Sequence, residues 1–277
     1  MLAHSAYGKS RVRLVHVSRH GDRHDLHDLT VAIRFEGDYA EAYTDGDNAC
    51  VLPTDTMKNT VYALAAQHPV AEPETFGLIL AEHFLARNDR LQHVRIDLTE
   101  HQWGRIPNGE REFGQAFMRT GTDARLATVL RDREASIVEA GIADLVILKS
   151  SRSAFAGYLR DEFTTLPETN DRLFATALTT TWRYRTLDVE FGQAWRAVRH
   201  TLLTTFAEHD SRSVQHTLHA MGRAVLDAVD SVAFIHLVMP NKHHLVVDLS
   251  RFGLENRNEV FVATEEPHGL IEATLAR

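Results

Sequence analysis

Polar and apolar residues alternate along Arg11-Val-Arg-Leu-Val-His-Val17 and along Asp28-Leu-Thr-Val-Ala-Ile-Arg-Phe35, the two-residue period of half-buried strands. A polar turn centred on Gly21-Asp22 separates them, so they are expected to form a hairpin. Glu41 to Leu52 reads as another extended stretch. The period then changes. In Val51-Leu-Pro-Thr-Asp-Thr-Met-Lys-Asn-Thr-Val-Tyr62, Met57 and Val61 open a helical repeat that Leu64 and Ala65 continue, with Thr54 and Asp55 at the expected N-cap and a stop near His68-Pro69. A second helix is expected from Pro73 to about Asn88, with Pro73 in its first turn and Phe76, Ile79, Leu80, His83 and Phe84 on one face. His93 to Leu98 and Phe117 to Leu130 follow as strands.

The second half repeats this order. Ile137-Val138, Leu145-Val-Ile-Leu148 and Ala175 to Arg185 read as strands, Phe191 to Glu208 and Ser213 to Val229 as helices. Ser231 to Met239, His244 to Leu249 and Glu259 to Ala263 are expected to close the chain as strands. Short links between adjacent strands, without strand-helix alternation, favour antiparallel sheets with helices on one face. The predicted class is therefore α+β, in two similar modules of residues 1–134 and 135–277, divided at the charged segment Asp132 to Ser136. Sheets packed side by side in this way leave edges that a second copy can pair with.

Composition narrows the function classes. The 277 residues are 44% hydrophobic and 25% charged, enough for a substantial core and unlike a disordered chain. A formal charge of −8 with scattered Lys and Arg argues against nucleic acid as a partner. The single cysteine, Cys50, excludes an internal disulfide and a cysteine-based metal site, and fits a reducing compartment. No segment has the length of a signal peptide core or a membrane span, so a soluble, unexported protein without membrane contact is expected. GxGxxG and GxxxxGKS/T loops are absent, and nothing announces a flavin or nucleotide cofactor. His20, His24 and His27 cluster beside Asp22, Asp25 and Asp28, which an exposed polar turn accounts for without a metal.

Five stretches carry candidate chemistry, weighed against plainer readings. The entrance of the Thr54-Asp55 helix offers free N–H groups and the positive dipole end to an anion, although an ordinary capped helix explains the same residues. Lys9, in Tyr7-Gly-Lys9, is a solvated terminal charge unless desolvated beside a hydroxyl, where it would become a base. Phe155 and Arg172, in Ser150-Ser-Arg-Ser-Ala-Phe155 and Leu166-Pro-Glu-Thr-Asn-Asp-Arg172, could be core and surface. Together they offer a stacking face and a planar fork to a flat anionic heterocycle. Gln215, in Ser211-Arg-Ser-Val214-Gln215, is a surface residue of a capped helix or an amide offering one donor and one acceptor to a second edge of such a heterocycle. Adjacent His243 and His244, in Pro240-Asn241-Lys-His243-His244, would point to opposite faces of a strand and so make a poor shared metal site.

Thr54-Asp-Thr-Met-Lys-Asn-Thr60, preceded by Tyr43-Thr-Asp-Gly-Asp-Asn48, resembles the signature of urate oxidases, and the likeness covers roughly residues 7 to 272. The resemblance implies tandem tunnelling-fold modules whose sheets join into a barrel in a homotetramer. It implies oxidation of urate by dioxygen and water to 5-hydroxyisourate and hydrogen peroxide, with no metal or organic cofactor and dioxygen as co-substrate. Carried residue by residue, it makes Lys9 and Thr54 the base system and His243 a proton relay. Phe155 stacks on the purine, Arg172 and Gln215 grip opposite edges, Val214 adds a contact, and Asn241 lines the oxygen or water site. Asp55 contributes a backbone N–H, the Thr-Asp pair reaching the substrate from a neighbouring subunit. Two positions depart from the family: Ala154 stands where glutamine is frequent, and His244 where an aromatic residue is common. The terminus Leu275-Ala-Arg277 differs from the peroxisomal tripeptide of eukaryotic members, which implies a cytoplasmic, bacterial protein. Two alternatives stay open at this level: a pterin-handling enzyme of the same fold, with zinc or a glutamate anchor, and a purine-binding homologue without turnover.

Overall fold

In β2 (Arg23–Gly37), Leu29, Val31, Ile33 and Phe35 are buried and the intervening residues are more exposed, so alternation alone assigns one face of the strand to the core. The same rule builds an antiparallel run with β1 (Tyr7–His20), β3 (Leu91–Asn108) and β4 (Arg111–Arg131). A computed structural model describes residues 2–264 and 266–277. The chain divides into two compact units, one running to Gly141 and including Trp182–Trp195, the other comprising Ile142–Thr181 and Arg196–Arg277. The class is α+β, with antiparallel strands predominating.

The first unit places α1 (Ala40–Thr44), α2 (Thr54–Gln67) and α3 (Pro73–Arg87) between β2 and β3. Met57, Val61, Leu64 and Ala65 are the buried face of α2, as their spacing predicts. α3 lies close against β3 and β4 because Gly77 has no side chain: a Cβ there would come within 2.9 Å of Leu98 and 2.8 Å of Val129. The second unit uses the same device. Its strands are the part of β5 (Ser136–Lys149) from Ile142 onward, β6 (Phe174–Tyr184) as far as Thr181, β7 (Val232–Lys242) and β10 (Gly269–Ala276), in that order, with α5 (Val214–Ala228) packed on β7 and β10. Gly222 of α5 admits Leu275 and Leu237, which a Cβ would approach to 2.7 and 3.2 Å. α4 (Phe191–Glu208) matches the predicted span, and β8 (His244–Val246) pairs with β9 (Phe261–Ala263) as a separate ribbon.

Several expectations need correction. Glu41 to Leu52 is not extended: its first residues belong to α1 and the rest is irregular. Thr54 and Asp55 are the first turn of α2 rather than its cap. Pro53 occupies the cap without a side-chain bond, because proline's fixed φ presets the chain one residue earlier. Ile137-Val138 and Leu145–Leu148 are parts of one strand, β5. β10 is unexpected; it pairs with β7 from Gly269↔Asn241 to Ala276↔Phe234. Only Leu275 in it is buried, so the apolar alternation that marks other strands is missing.

Candidate functional site

Phe155, Arg172, Val214, Gln215, Asn241 and His243 all line one cavity of about 670 Å³ in the second unit. Backbone pairing, more than side-chain contact, brings their segments together. The Phe155 amide donates to the Thr169 carbonyl at 2.8 Å and the Thr169 amide returns to Phe155 at 3.0 Å. The Arg172 amide donates to the Ser153 carbonyl at 2.9 Å. Ser153 pairs in parallel with Ser211, the Ala154 amide reaching the Ser211 carbonyl at 2.7 Å and the Ser211 amide reaching Arg152 at 3.0 Å. That last pairing delivers the start of α5 to the same wall. Ser213 caps the helix, its Oγ accepting the His216 amide, which leaves Val214 buried and Gln215 exposed on the first turn. Asn241 comes from the end of β7, opposite Gly269, and His243 from the junction with β8.

The wall chemistry follows from these positions. The Arg172 guanidinium carbon lies 5.3 Å from the Phe155 ring centre, while its buried Nε makes no hydrogen bond with any described residue. Burial lowers the arginine's pKa, and the side chain still carries its charge at neutral pH. A buried cationic donor left unmet is costly unless an acceptor is supplied from the cavity. The two carboxylates on the rim are engaged by the chain. Glu168 accepts the Gly157 amide at 3.2 Å and faces Arg160 at 3.5 Å, and Asp171 lies 3.5 Å from the Ser153 amide.

Lys9, Thr54 and Asp55 belong to the first unit and are not among the residues that line this cavity. A bulge explains where Lys9 points. The register runs Lys9↔Ile33 and then Val12↔Val31, so β1 carries one extra residue, with Arg11 at φ 57°. Lys9 and Val12 thereby share the face of Ile33 and Val31, the face that packs on α2. The Tyr7 hydroxyl accepts the Leu52 amide at 3.1 Å, tying this strand to the segment that opens α2. The Asp55 carboxylate bonds Lys58 at 2.5 Å and Asn59 at 3.1 Å along the helix. Its pKa is lowered chiefly by the Lys58 bond, with the charge of Lys9 adding to the effect. The helix therefore presents its backbone N–H groups and the Thr54 hydroxyl at the entrance, with the carboxylate turned along its side.

Sequence reasoning missed other wall residues. Thr169 could be found only through its register with Phe155, and Ile271 only through β10. His244, which departs from the family pattern, also lines the cavity beside His243. In the histidine-rich turn, His27 Nδ1 meets Glu100 at 2.8 Å and His20 lies 3.8 Å from Asp25. Among the described residues no group of three or more His, Cys, Asp or Glu is placed to hold a metal, and no helix is long and apolar enough to cross a membrane.

The sequence model of the uricase family matches residues 5–130 and 138–272. The chain belongs to the uricase family. It is 43% identical over 277 residues to the uricase of Arthrobacter globiformis, an alignment covering all of this chain and 90% of that one. It is 39% identical over 280 residues to the uricase of Dictyostelium discoideum, covering 100% and 97%. The crystal structure of the Arthrobacter globiformis uricase matches this fold with a TM-score of 0.95 at 42% identity, over 100% of this chain and 95% of that chain. A Bacillus fastidious uricase structure matches with a TM-score of 0.84 at 25% identity, over 98% and 93%. The α+β class, with its antiparallel sheet and paired helices, is thus that of solved uricases.

Proposed function

We propose that this chain is a working urate oxidase, taking urate, dioxygen and water to 5-hydroxyisourate and hydrogen peroxide, the first step from urate toward allantoin. The observation that carries the reading is the unmet, buried Nε of Arg172 in a cavity shared with the Phe155 ring and the Gln215 amide. An anionic purine meets all three at once: its face stacks on Phe155, one edge accepts from Arg172, and the other exchanges hydrogen bonds with Gln215. Val214 packs on the ring's margin. Asn241 holds dioxygen and later water above it.

Lys9 and Thr54 form the proton-handling half, with Lys9 drawing a proton through the Thr54 hydroxyl and His243 relaying protons on the cavity side. The Asp55 amide donates to the substrate. We assign this half to a neighbouring copy in a homotetramer, so that each pocket forms at a subunit interface and the sheets of the modules, residues 1–134 and 135–277, close into a barrel. Leu159 and Phe163 support burial by another copy, since they are 95% and 81% exposed beside the cavity-lining segment. Urate as its dianion is a strong electron donor, so the protein need only orient it and move protons, and we assign no metal or organic cofactor.

The decisive experiment measures urate loss together with oxygen uptake and peroxide release after exhaustive chelation. Stoichiometric conversion is the expected result, and unchanged urate in air would overturn the reading. Mild dissociation into folded monomers should abolish the activity; monomers that turn over normally would remove the shared site.

A further inference from the structure

The ring proposed to stack on the substrate is itself stacked from behind. Tyr158 lies against Phe155 with ring centres 4.8 Å apart and planes only 14° from parallel. Phe155 lines the cavity and Tyr158 is not among the lining residues, the arrangement expected of a tyrosine that covers the phenylalanine's far face. Tyr158 is held in turn. Its hydroxyl donates to the Leu166 carbonyl, and the Arg160 guanidinium sits 5.3 Å from its ring centre. The segment between them folds back on itself: Glu168 receives the Gly157 amide at 3.2 Å and faces Arg160 at 3.5 Å. An ordinary surface tyrosine needs none of these ties. A side chain fixed at hydroxyl, ring face and flanking loop has one orientation to offer its neighbour.

We infer that Tyr158 is a positioning residue that presets the tilt of Phe155, so that the purine completes a preformed column of rings. This rests on the reading of Phe155 as the stacking residue for urate. The physical reason is preorganisation. Phe155 is only half-buried, and a single ring there would sample several rotamers, losing that freedom when the substrate lands. Backing by a second parallel ring removes part of that loss beforehand. An offset aromatic pair contributes about 0.5–1.5 kcal/mol beyond area burial, so its removal should weaken substrate affinity by roughly threefold to tenfold. It should leave the proton-handling step alone.

The test titrates urate under nitrogen, where binding proceeds without turnover, and sets the results beside steady-state kinetics in air. Tyr158→Leu should raise the Kd for urate by about threefold to tenfold, keep kcat within about twofold, and diminish the change in urate's near-ultraviolet band on binding. Tyr158→Phe keeps the ring and should match the native protein on all three readouts. A folded Tyr158→Leu protein with native Kd and native spectral change overturns the inference. So does a Tyr158→Phe protein that weakens as much as Tyr158→Leu, since the hydroxyl's tie to Leu166 would then be the cause. Should the leucine variant fail to fold, Tyr158→Met takes its place under the same reading: a raised Kd with near-native kcat supports the ring, and a native Kd with native band shape overturns it. Failure of the underlying reading looks different. In that case the native protein does not bind urate at all, or Phe155→Ala binds it as tightly as the native chain.

Discussion

The Ser213 hydroxyl accepts the amide of His216 at 3.1 Å, and the two residues between them, Val214 and Gln215, are the two that α5 contributes to the cavity. If urate binds as proposed above, the cap serves stability and substrate geometry through one bond. Ser213→Ala should cost about 1 kcal/mol in urea unfolding and raise the Kd for urate, whereas Ser213→Asp, which can still cap, should restore both. A loss of stability with unchanged urate affinity would show that the first turn keeps its place without the hydroxyl.

The Arg172 grip and the Lys9–Thr54 base system are assigned to different units, which separates the expected kinetics of their variants. Arg172→Ala removes the cationic donor and should mainly destroy binding. Lys9→Met and Thr54→Ala should lower kcat strongly while urate still binds under nitrogen. Near-native turnover in Lys9→Met would remove the base system proposed above.

How far the sequence discloses this site depends on the kind of signal. Hydrophobic period placed α2, α3, α4 and α5 nearly to the residue, because each buries a continuous apolar stripe. It could not place β10, whose Leu270 is 63% exposed and in which Leu275 alone is buried. Phe155, Arg172 and Gln215 were nominated by motif identity; no period or spacing singles them out. Their convergence comes from the Ser153–Ser211 and Phe155–Thr169 pairings, long-range contacts between irregular segments that carry no local signal. The bulge after Lys9 was equally hidden. Arg11 takes a positive φ with no glycine or asparagine to announce it, yet that residue decides which face Lys9 occupies.

Acid should weaken the turn that precedes β5 in a predictable direction. Asp132 Oδ1 accepts the amides of Glu134 and Ala135, each at 2.7 Å, and these bonds hold its pKa below the ordinary carboxylate value. A folded-state pKa that is depressed contributes stability above the unfolded value, and the contribution disappears as pH falls through the folded one. Asp132→Ala should therefore lower Tm at about pH 7 and match the native protein more closely below about pH 3. An equal deficit at both pH values would mean that the carboxylate's charge has no part in holding the turn.

The strongest stability prediction concerns Glu74 and Arg125 in the first unit. Glu74 is completely buried, its Oε2 lies 2.6 Å from Arg125 Nη2, and the guanidinium stands 5.4 Å from the Trp195 ring centre. Burial raises the Glu74 pKa and the arginine charge opposes that rise, so the ion pair only partly offsets the cost of desolvation. A folded pKa that is raised favours the protonated form, giving stability that is lost as pH climbs through the folded value. Arg125→Met would leave the carboxylate unpaired and should destabilise by about 3–5 kcal/mol, more at about pH 8 than at about pH 5, where the acid can take up a proton. Adding Glu74→Leu to Arg125→Met should recover most of that loss, because the fully buried carboxylate is gone and Glu100, 4.0 Å from Arg125, keeps His27 at 2.8 Å. Urea unfolding of the single and double variants at both pH values reads this directly. A single variant within about 1 kcal/mol of native at the higher pH would mean that water reaches the carboxylate and that the pair is not desolvated in solution.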